Sequence, residues 1–121
     1  MFREPEKLKV FQLADKVAGG ALRSAGNSIL AGPLCRAALR APLAILEGCA
    51  AAQDEVFLRH LALARSGASE LRYLLGLGRR VGLLGPEAQA LEEEAFHLVK
   101  SLHLLLKAQR ERTAKRREKT A

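Results

Sequence analysis

Asp54-Glu-Val-Phe57-Leu-Arg-His-Leu61-Ala-Leu-Ala64-Arg-Ser-Gly-Ala68-Ser-Glu-Leu71-Arg-Tyr-Leu-Leu75-Gly-Leu-Gly78-Arg-Arg80 is the stretch on which the fold turns. Residues 57, 61, 64, 68, 71, 75 and 78 are apolar or small and recur at alternating spacings of four and three. That is a heptad seam, the pattern of helices that pack side by side near 20°. Ala64, Ala68 and Gly78 leave room for a neighbouring backbone to come close. The same logic extends outward. Leu91, Ala95, Leu98, Leu102 and Leu105 form a second seam, which Phe96, Val99 and Leu106 widen into a stripe able to bury against two neighbours. Toward the N-terminus, Val10, Ala14, Val17 and Ala21 repeat the spacing, with Phe11, Ala18 and Leu22 beside them. Gly19 and Gly20 weaken that helix locally.

Leu34, Ala38, Ala41 and Ile45 define a further helix that contains Pro42. Proline removes a helical hydrogen bond and clashes with the carbonyl four residues back, here that of Ala38. Because the apolar spacing runs through it, a kinked but continuous helix is expected. Breakers at Ser24–Ser28, Gly32-Pro33, Gly48, Gly82 and Gly85-Pro86 separate the four segments. The predicted helices are about Glu6–Ala25, Pro33–Ala50, Asp54–Val81 and Pro86–Arg112, with Asp54 as an N-cap. No stretch alternates with period two, so the fold class is all-α. One helical domain over residues 1–107 is expected, followed by a basic tail over 108–121.

The chain has 121 residues, enough for one domain with a real core, and is 49% hydrophobic, which excludes an intrinsically disordered chain. No charge-free run approaches the roughly 20 apolar residues a membrane span needs. The opening MFREPEKLKV carries charges and no apolar stretch, unlike a secretory leader. Cys35 and Cys49 lie 14 residues apart, roughly 21 Å along one helix. That is too far for a bridge, so reduced thiols and a cytoplasmic setting are expected. Aromatics are 4% and Trp is absent, which disfavours a protein that reads single-stranded bases mainly by stacking.

The net charge of +7 is uneven. The tail from residue 107 holds seven cations, Lys107, Arg110, Arg112, Lys115, Arg116, Arg117 and Lys119, against Glu111 and Glu118. Lys and Arg at this density neutralise phosphates and release counterions. The alternative is a solubilising extension. Membrane insertion is disfavoured, because after Leu106 only Ala108, Ala114 and Ala121 are apolar. Two further rows of cations recur every seven residues: Arg65, Arg72 and Arg79, with Arg80 adjacent, and Lys9, Lys16 and Arg23. Each is a candidate phosphate-binding stripe, or else a solvated face or a row of salt bridges.

His97 and His103 do not share a helical face, and Glu93–His97 at i, i+4 has the spacing of a surface pair, so no metal site is expected. Phosphate loops, nucleophile elbows and zinc-protease helices have no counterpart in the sequence. No enzyme activity and no cofactor are expected.

Four short segments resemble a known family in order and spacing. They are Leu8-Lys-Val-Phe-Gln-Leu-Ala14; Arg36-Ala-Ala38 with Pro42, Ile45 and Glu47-Gly48; Phe57-Leu-Arg59 with Leu61, Ala64 and Ser69-Glu-Leu71; and Gly82-Leu-Leu84. They are similar to segments of the small proteins encoded in intervening sequences of bacterial large-subunit ribosomal RNA genes. Two positions depart from the pattern: Ala44 stands where the family has Asn, and His60 where it has a second aromatic. The resemblance extends to the accessory variability determinant proteins of diversity-generating retroelements, which bind a reverse transcriptase and nucleic acid. It implies an up-down four-helix bundle, commonly a ring-like homopentamer. It also singles out Arg36, Glu47, Arg59 and Glu70, for which structural ion pairs across helices are the expected role.

The leading expectation is therefore a non-enzymatic homo-oligomer that binds RNA or another nucleic acid, and/or a nucleic-acid enzyme such as a reverse transcriptase, through basic surfaces. The alternative is a structural or protein-interaction scaffold whose charge keeps it in solution.

Overall fold

Phe57, Leu61, Ala64, Ala68, Leu71, Leu75 and Gly78 all lie buried along one side of α3 (Asp54–Arg80), so the seam that defines the fold is realised in full. The computed structural model describes residues 3–120. A single 3₁₀ turn at Pro5–Lys7 leads into α1 (Lys9–Ser24), followed by α2 (Ala31–Ala50), α3 and α4 (Ala88–Thr120). Helix α1 packs on α2 and α4, and α3 packs on the same two, so α1 and α3 sit on opposite diagonals. Sequence neighbours are spatial neighbours and short turns join them. The result is an all-α up-down four-helix bundle.

Two core layers stack along the bundle. One is built from large side chains, chiefly Ile45, Phe57, Leu61, Leu98, Leu102 and Leu106. The other surrounds Leu34, Leu71 and Leu75 with Ala18, Ala21, Ala37, Ala38, Ala88 and Ala95. Small side chains in the second layer let the helices approach closely. Gly20 belongs to that design: a methyl there would run into the side chain of Leu91 on α4.

Several helix ends differ from the sequence reading. Leu8 is extended, so the Pro5–Lys7 turn is separate and α1 begins at Lys9. Helix α2 starts at Ala31, which places Pro33 in the first turn, where its missing N–H costs nothing. The helix then runs unbroken past the buried Pro42. The N-cap of α3 is Gln53 rather than Asp54, and its side chain makes no capping bond. Gly82 takes φ +78°, a left-handed conformation that suits glycine, and ends α3. Helix α4 continues to Thr120, beyond the expected Arg112, without interruption at residue 107.

In α4 the expected seam slips. Ala95, Leu98, Leu102 and Leu106 are buried, whereas Leu105 is only half-buried and Phe96 is exposed. A straight helix turns every 3.6 residues and drifts off a strict heptad over several turns. Among the described residues no helix is long and apolar enough to cross a membrane. Cys35 and Cys49 both lie on α2 and are unbridged.

Candidate nucleic-acid interface

Arg65, Arg72 and Arg79 recur along α3 at the edge of its buried seam, where α4 runs beside them. Each meets a different group. Arg79 donates from two nitrogens to the Glu92 carboxylate, the longer bond being 3.3 Å. Those hydrogen bonds hold the Glu92 carboxyl below its ordinary range and push the Arg79 guanidinium above its own. Arg72 lies over the Phe96 ring, its Cζ 4.1 Å from the centroid, and Lys100 approaches the same ring at 4.9 Å. Both are cation–π contacts. Arg65 donates to His103 Nδ1 at 3.3 Å. Only Arg79 of this row is therefore held by a carboxylate among the described residues. Arg80 is exposed and forms no ion pair there.

Of three hollows along this α3–α4 groove, two share Ser69. The larger, about 540 Å³, is lined by Arg65, Ser69, Val99, Lys100, His103 and Leu104. The other, about 270 Å³, is lined by Ser69, Arg72, Tyr73, Arg80 and Glu92. Beside the second, a Cβ at Gly76 would sit 2.7 Å from Glu92 Oε1 and 2.9 Å from Arg80 Nη1, the ends of two lining side chains.

The row on α1 is not brought to this groove, because α1 is diagonal to α3. Lys9 and Arg23 are exposed, and Lys16 Nζ lies 3.8 Å from the Glu94 carboxylate. The tail cations occupy the exposed end of α4. Two of them reach back to the start of α3: Arg116 pairs with Asp54 at 2.7 Å, and Arg117 pairs with Glu55. Hydrogen bonding from Arg117 lowers the Glu55 carboxyl from its ordinary range. Asp54 also receives Arg3 at 2.7 Å, and Arg3 lies over the Phe57 ring. Lys107, Arg110, Arg112, Lys115 and Lys119 form no ion pair among the described residues.

The set Arg36, Glu47, Arg59 and Glu70 is not paired internally. Glu70 takes Arg40 from α2 at 2.6 Å. Glu47 lies 3.3 Å from His60 Nε2, while the other ring nitrogen of His60 is 2.8 Å from the Val56 carbonyl. Arg36 and Arg59 are exposed and make no ion pair among the described residues, so the pairing expected of them is not made within one chain. Arg40 and His60 were missed because cross-helix partners depend on how the helices are offset, which no single-helix spacing encodes. The Phe96–Lys100 contact did have a signal, since i, i+4 residues share a helical face.

Among the described residues no three His, Cys, Asp or Glu side chains converge as a metal site would require. No protein-family model matches the chain, and no curated protein matches it significantly.

Proposed function

We propose that this chain is a non-enzymatic, self-associating helical bundle that holds nucleic acid, RNA in the first instance, by its phosphates. One observation carries the reading. Arg65, Arg72, Arg80 and Lys100 share the α3–α4 groove without an ion-pair partner among the described residues, next to two exposed rings, Tyr73 and Phe96. Cations with no carboxylate within ion-pair distance, set beside aromatic rings, suit a phosphodiester chain. The helical tail adds Lys107, Arg110, Arg112, Lys115 and Lys119 as a second, sequence-independent source of attraction. The resemblance to the retroelement accessory proteins supports a concrete version, in which a pentamer assists a reverse transcriptase. Ring closure would multiply the +7 carried by each chain.

A salt titration of RNA binding is the direct test. Affinity should fall steeply from low to moderate salt, with a log–log slope of about −2 or steeper. Deleting residues 108–121 should weaken binding while leaving assembly intact. A flat salt response, or no binding by either form, overturns the reading.

A scaffold role is favoured by a different feature. Leu39, Leu43 and Leu46 are 40%, 50% and 40% exposed at i, i+4, i+7 on the outside of α2, an apolar seam that no helix covers among the described residues. If RNA binding fails while Leu43→Glu disperses an oligomer, the scaffold reading stands in its place.

A further inference from the structure

Tyr73 is 60% exposed and opens onto the smaller groove hollow, about 270 Å³, together with Ser69, Arg72, Arg80 and Glu92. We infer that this hollow seats one unpaired base of a single-stranded nucleic acid, which stacks on Tyr73 while Arg72 and Arg80 take the flanking phosphates. The inference rests on the nucleic-acid reading and names the form of ligand that its groove accepts.

The walls argue for it. Arg72 already rests on the Phe96 ring, 4.1 Å from its centroid, a contact that restricts the guanidinium before any ligand arrives. Gly76 is buried beneath the lining, and Arg80 Nη1 and Glu92 Oε1 occupy the space a methyl there would fill. Glu92 is the acid in this lining, and Arg79 already engages it. The lining therefore presents cations and one flat ring to a ligand. The larger hollow has an aliphatic floor of Val99 and Leu104, and its one ring, His103, is already engaged by Arg65. A duplex cannot use Tyr73 in this way, because its base faces are covered by their neighbours and only backbone and groove edges are presented. The low aromatic content of the chain excludes a platform of many rings, but not one base site in each copy.

The composition supplies a selective probe. Tyr73 is the one tyrosine of the chain and Trp is absent, so tyrosine emission reports this ring alone. The full-length protein is titrated with a short single-stranded oligoadenylate and, separately, with duplex RNA. Oligoadenylate should quench the emission and duplex should not. With end-labelled oligoadenylate, Tyr73→Leu should lose about fivefold or more in affinity and Tyr73→Phe about twofold or less, since a stacked ring is what the base requires. Duplex affinity should be the same for all three proteins. Oligoadenylate binding with undiminished tyrosine emission, or with no loss in Tyr73→Leu, overturns this inference and leaves the broader reading in place. Failure of both nucleic acids to bind overturns both.

Discussion

Glu92, near the start of α4, takes two nitrogens of Arg79 at the end of α3, and the pair spans the turn at Gly82. Its carboxyl is held below the ordinary range by that hydrogen bond first, with Arg79, Arg80 and Arg72 adding attraction. A carboxyl with a depressed folded-state pKa contributes stability above its unfolded value, about 4.5, and loses it as pH falls through the lower folded value. Glu92→Gln should therefore unfold at lower urea than the parent near neutral pH. The gap should shrink on acidification below about pH 4. Urea midpoints measured across pH check this, and a gap independent of pH would refute the pairing.

Glycines on these helices divide into two kinds. A Cβ at Gly67 would lie 2.7 Å from Arg40 Cβ and 3.4 Å from the Ala41 nitrogen, where backbone meets backbone between α3 and α2. At Gly19 it would meet only the mobile end of Arg23, at 3.3 Å. Alanine gains about 1 kcal/mol over glycine in a helix, and overpacking costs about 1–3 kcal/mol. Gly67→Ala should accordingly destabilise the fold, and Gly19→Ala should be neutral or stabilising. Chemical denaturation of the two variants gives the signs.

Leu102 and Leu104 are two residues apart and physically unlike. Leu102 is fully buried and Leu104 is 64% exposed. Leu102→Ala should lose about 2–5 kcal/mol, because it leaves a cavity in the large-residue layer. Leu104→Ala should stay within about 0.5 kcal/mol of the parent. Similar losses in both would mean that α4 is rotated from the position described.

Cys49 is 2% exposed, and burial raises its thiol above the ordinary value, with Arg3 pulling it down and Glu6 adding to the rise. Cys35, on the same helix, is half-buried. Iodoacetamide at neutral pH should label Cys35 first, with Cys49 reacting only as fast as the bundle opens. Mass spectrometry over a time course separates the two rates.

The seam of α3 was legible because every one of its contacts is made from a single face of one helix. Where two elements had to be placed relative to each other, the sequence was silent. Arg40 meets Glu70, and Arg116 meets Asp54, across 30 and 62 residues of chain. Both contacts depend on the offset between neighbouring helices, which the turns and the packing of Ala, Gly and Leu layers set together. The slip from Leu105 to Leu106 in α4 has a similar origin, since a small angular error per turn accumulates over a long helix. The Arg65–Arg72–Arg79 row was visible as a period, but its differing environments came from α4: a histidine, an aromatic ring and a carboxylate. Tyr73 carried no periodic signal, being an isolated exposed ring.

Leu106 is the last buried residue of α4, and Lys107, Arg110, Arg112, Lys115 and Lys119 follow it on the same rod. At 3.6 residues per turn these five charges spread over roughly 200° of the helix circumference and leave the side that carries Leu102 and Leu106 to the bundle. On the proposed reading a polyanion would meet these charges from the outward side of the bundle, while Arg116 and Arg117 tie the end of the rod to the start of α3. The groove alongside would then set the ligand's alignment, so that capture and registration would fall to two parts of one continuous helix.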